Sequence, residues 1–159
     1  MDSNLLNKVS STLKEKKLTI ATAESCTGGL IAHTLTNISG SSEYFDRGIV
    51  SYSNRAKMEL LGVSEESLRK YGAVSEEVAK EMAEGVRTRS GVDIGISTTG
   101  IAGPTGGSKD KPVGLVYVAV STKDKTVVRK FLFKGDRLQI KESSCEVALS
   151  MLLDILKSG

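Results

Sequence analysis

The feature that most constrains this chain is the order in which helical and strand periodicities alternate along it. Leu5, Leu6, Val9 and Leu13 recur at helical spacing over residues 4–16, and Lys14, Lys16 and Lys17 gather at the end of that run, where cations suit a helix C-terminus. The run predicts an amphipathic helix lying as a lid on the core. Leu18 to Ala23 then reads as a short buried strand, and Thr27-Gly28-Gly29-Leu30-Ile31-Ala32 opens a second helix. Gly48 to Tyr52 is a further strand, and Asn54 caps a short helix containing Lys57, Leu60 and Leu61. Ser64 and Ser75 each begin a helix, the second running through Val78, Met82 and Val86 to Ser90-Gly91. After a strand over Val92 to Thr99, two β-rich runs, Gly114 to Thr122 and Thr126 to Phe133, flank Lys123-Asp124-Lys125 as a hairpin. A long helix follows Gly135-Asp136-Arg137, with Leu138, Cys145, Ala148, Leu149, Leu152, Ile155 and Leu156 on one face. Helices interleaved with strands, closed by one hairpin, predict a three-layer α/β/α sandwich around a mixed sheet. One domain over residues 1–159 is expected, and a chain of this length buries roughly 68–70% of its unfolded surface.

Composition removes several function classes. Twenty-two Lys and Arg against 19 Asp and Glu leave a charge of +3. The cations alternate with acids and do not form a stripe, and four Tyr, three Phe and no Trp make a poor stacking platform, so no nucleic-acid partner is expected. One histidine, His33, supplies no His-rich metal site, and no metal is expected. His33 reads as a helix-surface or packed residue and Cys145 as a core position. Two well-separated cysteines, Cys26 and Cys145, fit a reducing compartment. No stretch approaches 18 apolar residues and the N-terminus lacks a signal-peptide core, so the expectation is a soluble, unexported, cytoplasmic protein with no membrane partner.

Chemistry concentrates in Thr22-Ala23-Glu24-Ser25-Cys26-Thr27-Gly28-Gly29, which sets a hydroxyl and a thiol at a strand-to-helix junction. Unpaired N–H groups at a helix start favour developing negative charge, so a nucleophile and an oxyanion site can share this turn. The same residues equally suit a Ser N-cap followed by glycines that admit close helix-to-strand packing. A thiol there is also a candidate nucleophile. With His33 about two turns away Cys26 has no obvious base, and Ser25 is preferred.

Tyr52-Ser53-Asn54-Arg55-Ala56-Lys57 places a tyrosine and a lysine five apart, not the four of a Tyr-x-x-x-Lys dehydrogenase pair. No Gly-x-Gly-x-x-Gly follows the first strand, which disfavours a dinucleotide oxidoreductase. Lys57 taken alone also suits a solvated surface. Gly100-Ile101-Ala102-Gly103-Pro104-Thr105-Gly106-Gly107 lets backbone amides approach a phosphate or carboxamide, or forms a flexible turn. It lacks the Gly-Lys-Ser/Thr ending of a P-loop. Arg137 is a candidate phosphate fork or an ordinary surface cation.

Taken in order, these segments, with Gly40-Ser41-Ser42, Gly72-Ala73-Val74-Ser75, Lys111-Pro112-Val113-Gly114 and Gly135-Asp136-Arg137, resemble the C-terminal domain family of the competence/damage-inducible protein CinA over nearly the whole chain. The resemblance implies a nicotinamide-nucleotide amidohydrolase of pyridine nucleotide salvage, converting nicotinamide mononucleotide to nicotinic acid mononucleotide and ammonia without a cofactor. In many relatives the domain follows a larger molybdopterin-binding-like domain linked to a metal-dependent pyrophosphatase. Only about 17 residues precede the first strand here, so that activity and its metal are not expected. The resemblance also implies a homo-oligomer, with a homodimer the expectation.

The resemblance further implies Ser25 as nucleophile, with Tyr52 and Lys57 as proton-transfer partners. A lysine base acts when neutral, and bringing Lys57 from about 10.4 to about 7–8 takes on the order of 4 kcal/mol of burial and neighbouring charge. Arg55 and the pyridinium ring of the substrate are the expected sources of that charge. Amides near Cys26 and Thr27 are expected to hold the oxyanion. Gly40, Ser41, Gly100, Gly103, Thr105, Gly106 and Arg137 are expected to hold ribose and phosphate. Two other classes remain: a non-catalytic nucleotide-binding or regulatory module using the same loops, and an interaction module in DNA uptake or repair suggested only by the family name.

Overall fold

The computed structural model describes residues 2–158; Met1 and Gly159, the outermost residues of the expected domain, lie outside them. Six helices and five strands alternate as α1 (Ser3–Lys16), β1 (Ile20–Glu24), α2 (Leu30–Leu35), β2 (Phe45–Val50), α3 (Asn54–Leu61), α4 (Glu65–Tyr71), α5 (Glu76–Ser90), β3 (Ile94–Gly100), β4 (Leu115–Ser121), β5 (Thr126–Leu132) and α6 (Arg137–Ser158), with a single 3-10 turn over Ser41–Glu43. The sheet order is β2-β1-β3-β4-β5. β1 pairs in parallel with β2 and β3, and the β4–β5 hairpin joins antiparallel to β3, so the sheet is mixed, as expected.

Two cores flank the sheet. On one face Leu6, Val9 and Leu13 of α1, Ile31 and Leu35 of α2, and Cys145, Ala148, Leu149, Leu152 and Leu156 of α6 pack on Ile20, Ile96, Val116, Val118 and Val120. On the other, Val78, Met82 and Val86 of α5 and Leu61 of α3 pack on Ala21 and Ala23. Because alternate strand residues point to opposite faces, β1 is buried along its whole length, whereas the edge strands β2 and β5 are partly exposed. Close approach of α5 requires Gly95, where an added Cβ would meet the Ala83 carbonyl oxygen at 2.2 Å.

Local chemistry sets several boundaries differently from the sequence reading. Ser53, not Asn54, caps α3, its side chain accepting from Ala56 N. Ser64 and Ser75 cap α4 and α5 as expected. The start of α6 is held by a reciprocal pair, Gln139 N to Asp136 Oδ1 and Asp136 N to Gln139 Oε1, each 2.8 Å. Leu138 is 67% exposed and does not join the apolar face of that helix, because it lies in the first turn, beyond the covering layer. The second helix starts three residues later than expected. Gly28 and Gly29 both have positive φ, +57° and +102°, which bends the chain through a turn before Leu30. No helix among the described residues is long and apolar enough to cross a membrane.

Candidate active site

The three parallel strands run β2-β1-β3, and the chain leaves β1 over one face to reach β2, then crosses the other face to reach β3. The carboxyl ends of β1 and β3 therefore flank a topological switch point, the usual place for a ligand crevice in an α/β sheet. Everything that follows β1, β2 and β3 comes out at this edge.

At the end of β1 the two-residue alternation separates neighbours. Glu24 points to the α2 side, where its carboxylate accepts from Thr27 Oγ1 (2.5 Å) and Ile31 N (2.9 Å) in the interior and from Ala32 N (3.0 Å) at its margin. Thr27 Oγ1 also meets Thr98 Oγ1 at 2.8 Å, tying the turn to β3. The first amides of α2 are thus occupied by Glu24, so that helix end is not an open anion site. The Cys26 and Thr27 amides, by contrast, have no hydrogen-bond partner among the described residues.

Ser25 points to the opposite side, its N–H on Thr98 O at 3.0 Å. There Lys57 of α3 reaches in. Its Nζ lies 3.1 Å from Ser25 Oγ, 2.9 Å from Ser51 O and 3.3 Å from Tyr52 O, and the side chain is 1% exposed. No carboxylate pairs with it among the described residues. Burial holds its pKa below the ordinary 10.5, with Cys26 acting in the opposite direction. The expected help from Arg55 is absent, since Arg55 is exposed and donates to Glu59 Oε1 at 2.7 Å. Desolvation is the cause. Lys57 Nζ donates to Ser25 Oγ and to the two carbonyls, three acceptors around one nitrogen, and the same contact would let a deprotonated amine take the Ser25 hydroxyl proton. Burial pushes the Cys26 thiol up to about 12, away from a thiolate.

Tyr52 is placed differently from its expected role. Its carbonyl, not its phenol, accepts from Lys57; the ring is 60% exposed, and the hydroxyl accepts from Arg137 at 2.8 Å. Arg137 also donates to Gly103 O at 2.6 Å, so the start of α6 is clasped to both the Tyr52 segment and the glycine-rich loop. In that loop Gly100 still pairs with β4, Gly103 is buried, and Thr105 and Gly106 are exposed. The amides of Gly103, Thr105 and Gly106 have no partner among the described residues.

Gly40 and Ser41 require a correction. They precede β2, and the β1–β2 register sets Phe45 beside Ile20, so they lie at the amino end of the parallel strands, across the sheet from Ser25. Ser39 O beside them accepts from Lys14 of α1, and Ser41 Oγ caps Thr36 O at 3.5 Å. Their loop closes α1 against β2 and takes no part in a site built on Ser25 in the same chain. His33 is exposed and Cys145 buried, as read from the sequence.

A cleft of about 560 Å³ is also at the amino end, lined by Leu18, Ile94, Ile155 and Leu156 and far from the paired serine and lysine. A cleft of about 340 Å³ lies at the carboxyl edge between Gly28, Gly29, His33, Leu138 and Lys141. Buried, converging polar groups rather than volume distinguish the carboxyl edge. Glu24, Thr98 and Ser51 were not singled out from the sequence. The signal for Glu24 was its place one residue before Ser25 at a strand end, where alternation must send the two side chains apart.

The CinA C-terminal domain profile matches residues 2–156. A CinA-like protein of Syntrophus aciditrophicus is 52% identical over 159 residues, 99% of this chain and 38% of that protein. One of Fusobacterium nucleatum is 58% identical over 91% of this chain and 35% of its own length. The chain thus spans little more than a third of these curated relatives. The crystal structure of a competence/damage inducible protein, CihA, from Agrobacterium tumefaciens superposes with a TM-score of 0.94 at 42% identity, covering 97% of this chain and 94% of that one. A CinA superfamily protein from Klebsiella pneumoniae gives 0.94 at 33% identity, covering 98% of each chain.

Proposed function

The chain belongs to the CinA C-terminal domain family, and from that premise we propose that it hydrolyses the carboxamide of nicotinamide mononucleotide, with Ser25 as nucleophile and Lys57 as its general base and acid. The observation that carries the reading is the buried Lys57 Nζ 3.1 Å from Ser25 Oγ with no carboxylate beside it. A serine hydroxyl is a weak nucleophile until a neighbour takes its proton, and a desolvated lysine is a competent neighbour.

In the proposed cycle Ser25 Oγ attacks the carboxamide carbon while its proton moves to Lys57 Nζ. The Cys26 and Thr27 N–H groups stabilise the oxyanion. Lys57 returns the proton to the departing nitrogen, ammonia leaves, and an ester remains on Ser25. Water then attacks that ester, again giving its proton to Lys57, and collapse frees nicotinic acid mononucleotide and restores the serine. The unengaged amides of the glycine-rich loop and the outer face of Arg137 bind the phosphate, and Tyr52 at the rim lies against the nucleotide.

Incubating the purified protein with nicotinamide mononucleotide and following ammonia tests the proposal. Stoichiometric, enzyme-dependent release is expected. Saturable binding of the nucleotide without ammonia release overturns it in favour of a non-catalytic binding module.

A further inference from the structure

Ser51 is the residue of this edge that the proposed cycle leaves unused. Its N–H adds one rung to the β2–β1 ladder, on Glu24 O at 2.9 Å, so strand alternation carries its side chain to the face on which Ile49 packs with Ala21 and Ala23. That is the face covered by α3, and Lys57 Nζ donates to the carbonyl of this same residue at 2.9 Å. Ser51 is fully buried, yet its hydroxyl has no hydrogen-bond partner among the described residues. Two other buried hydroxyls share that condition, Ser10 in α1 and Thr22 on the α2 side of β1, both away from Lys57. A buried hydroxyl left unpaired is costly, and such a group asks for an explanation.

The hydrogen bonds of Lys57 supply one. Lys57 Nζ has three acceptors around it, Ser25 Oγ, Ser51 O and Tyr52 O; as the neutral base of the proposed cycle it keeps two N–H groups for the carbonyls and turns its lone pair to the Ser25 hydroxyl. Once it has captured the Ser25 proton it carries a third N–H, and Ser25 Oγ, now bonded to the substrate carbon, is a poor acceptor. We propose that Ser51 Oγ is a positioning residue that accepts this third N–H, holding the Lys57 ammonium from proton capture until the leaving nitrogen takes the proton. Among the described residues the neighbouring charged and titratable groups are engaged elsewhere. The Cys26 thiol, in the turn after β1, packs in the core on the α2 side of the sheet. Glu24 is engaged with α2, and Arg55 with Glu59 on the outer side of α3. From α5, Arg89 reaches Glu59 O and Glu81 reaches Ser64 and Ser67. The Tyr52 phenol is on Arg137.

The inference rests on reading Ser25 and Lys57 as a catalytic pair, and its test is separable from that reading. Ser25→Ala removes the third acceptor and so reproduces the demand made in the cycle. Lys57 is titrated by NMR of its labelled side chain in full-length Ser25→Ala, with and without Ser51→Ala. The expected result is that Lys57 titrates about one pH unit lower when the Ser51 hydroxyl is also removed. Ser51→Thr in the same background is expected to keep the higher value and Ser51→Val to lose it; this pair differs only in a hydroxyl for a methyl and decides the question if the alanine variant does not fold. In otherwise wild-type protein, Ser51→Ala is expected to lower kcat for the nucleotide about tenfold with KM little changed, and Ser51→Thr to restore it. An identical Lys57 titration with and without the hydroxyl overturns the proposal. Wild-type protein that releases no ammonia overturns the amidohydrolase reading instead, and leaves the titration to judge Ser51.

Discussion

The two ends of the sheet carry loops of similar composition and have different structures. At the amino end, Gly40-Ser41-Ser42 and the Thr19–Asp93 contact (Thr19 N to Asp93 Oδ2, 2.8 Å) are closures at the surface of the molecule. At the carboxyl end, Glu24, Ser25, Thr27, Ser51, Lys57 and Thr98 are all buried, and one is a lysine without a counter-charge. Burying such a group unpaired works against stability. Serine and glycine content alone does not identify a site; polar atoms held in the interior at the switch point of a parallel sheet do.

Variants at the two ends sharpen that contrast. The largest effect is expected for Ser25→Ala and for Lys57→Met, each lowering kcat for nucleotide hydrolysis by about a thousandfold or more while circular dichroism reports an intact fold. Next is Glu24→Ala, which leaves Thr27 Oγ1 and the Ile31 and Ala32 amides unpaired. It is expected to cost about 3 kcal/mol in denaturant unfolding, and Glu24→Gln less. Arg137→Ala, which releases both Tyr52 and Gly103, is expected to raise KM about tenfold with kcat less affected. Smallest is Ser41→Ala at the amino end, expected to change kcat and KM by less than about twofold; a larger loss would mean that this loop reaches a site after all.

The pH dependence follows from Lys57. Its folded pKa lies below 10.5, so between that value and 10.5 the unfolded chain binds the extra proton and stability rises with pH. Lys57→Met is expected to flatten that slope in unfolding measurements. In the proposed cycle the neutral amine is the base, so kcat/KM is expected to climb with pH through the folded pKa of Lys57.

The layers and the helix starts at Ser64 and Ser75 were legible because they depend on local periodicity and capping. Lys57 was legible only through family resemblance, since nothing in Asn54-Arg55-Ala56-Lys57 marks the lysine as buried; its burial is set by β1 and β2 meeting α3. The misreadings share that cause. Gly40-Ser41 looked like a binding loop until strand register placed it at the far end, and the carbonyl of Tyr52, not its phenol, proved to face Lys57 because β2 ends one turn before α3. Where the start of α2 looked open to an anion, Glu24 from the preceding strand fills it.

The proposed hydrolysis turns on an acyl-enzyme on Ser25, formed with Lys57 as the base. Rapid quenching of the protein during turnover of nicotinamide mononucleotide, followed by peptide fragmentation between residues 25 and 26, tests it most directly. The expected result is the acid nucleotide esterified to Ser25, an adduct that persists in Cys26→Ala and fails to form in Lys57→Met. An adduct on Cys26, or near-wild-type turnover by Ser25→Ala with loss of activity in Cys26→Ala, would contradict it.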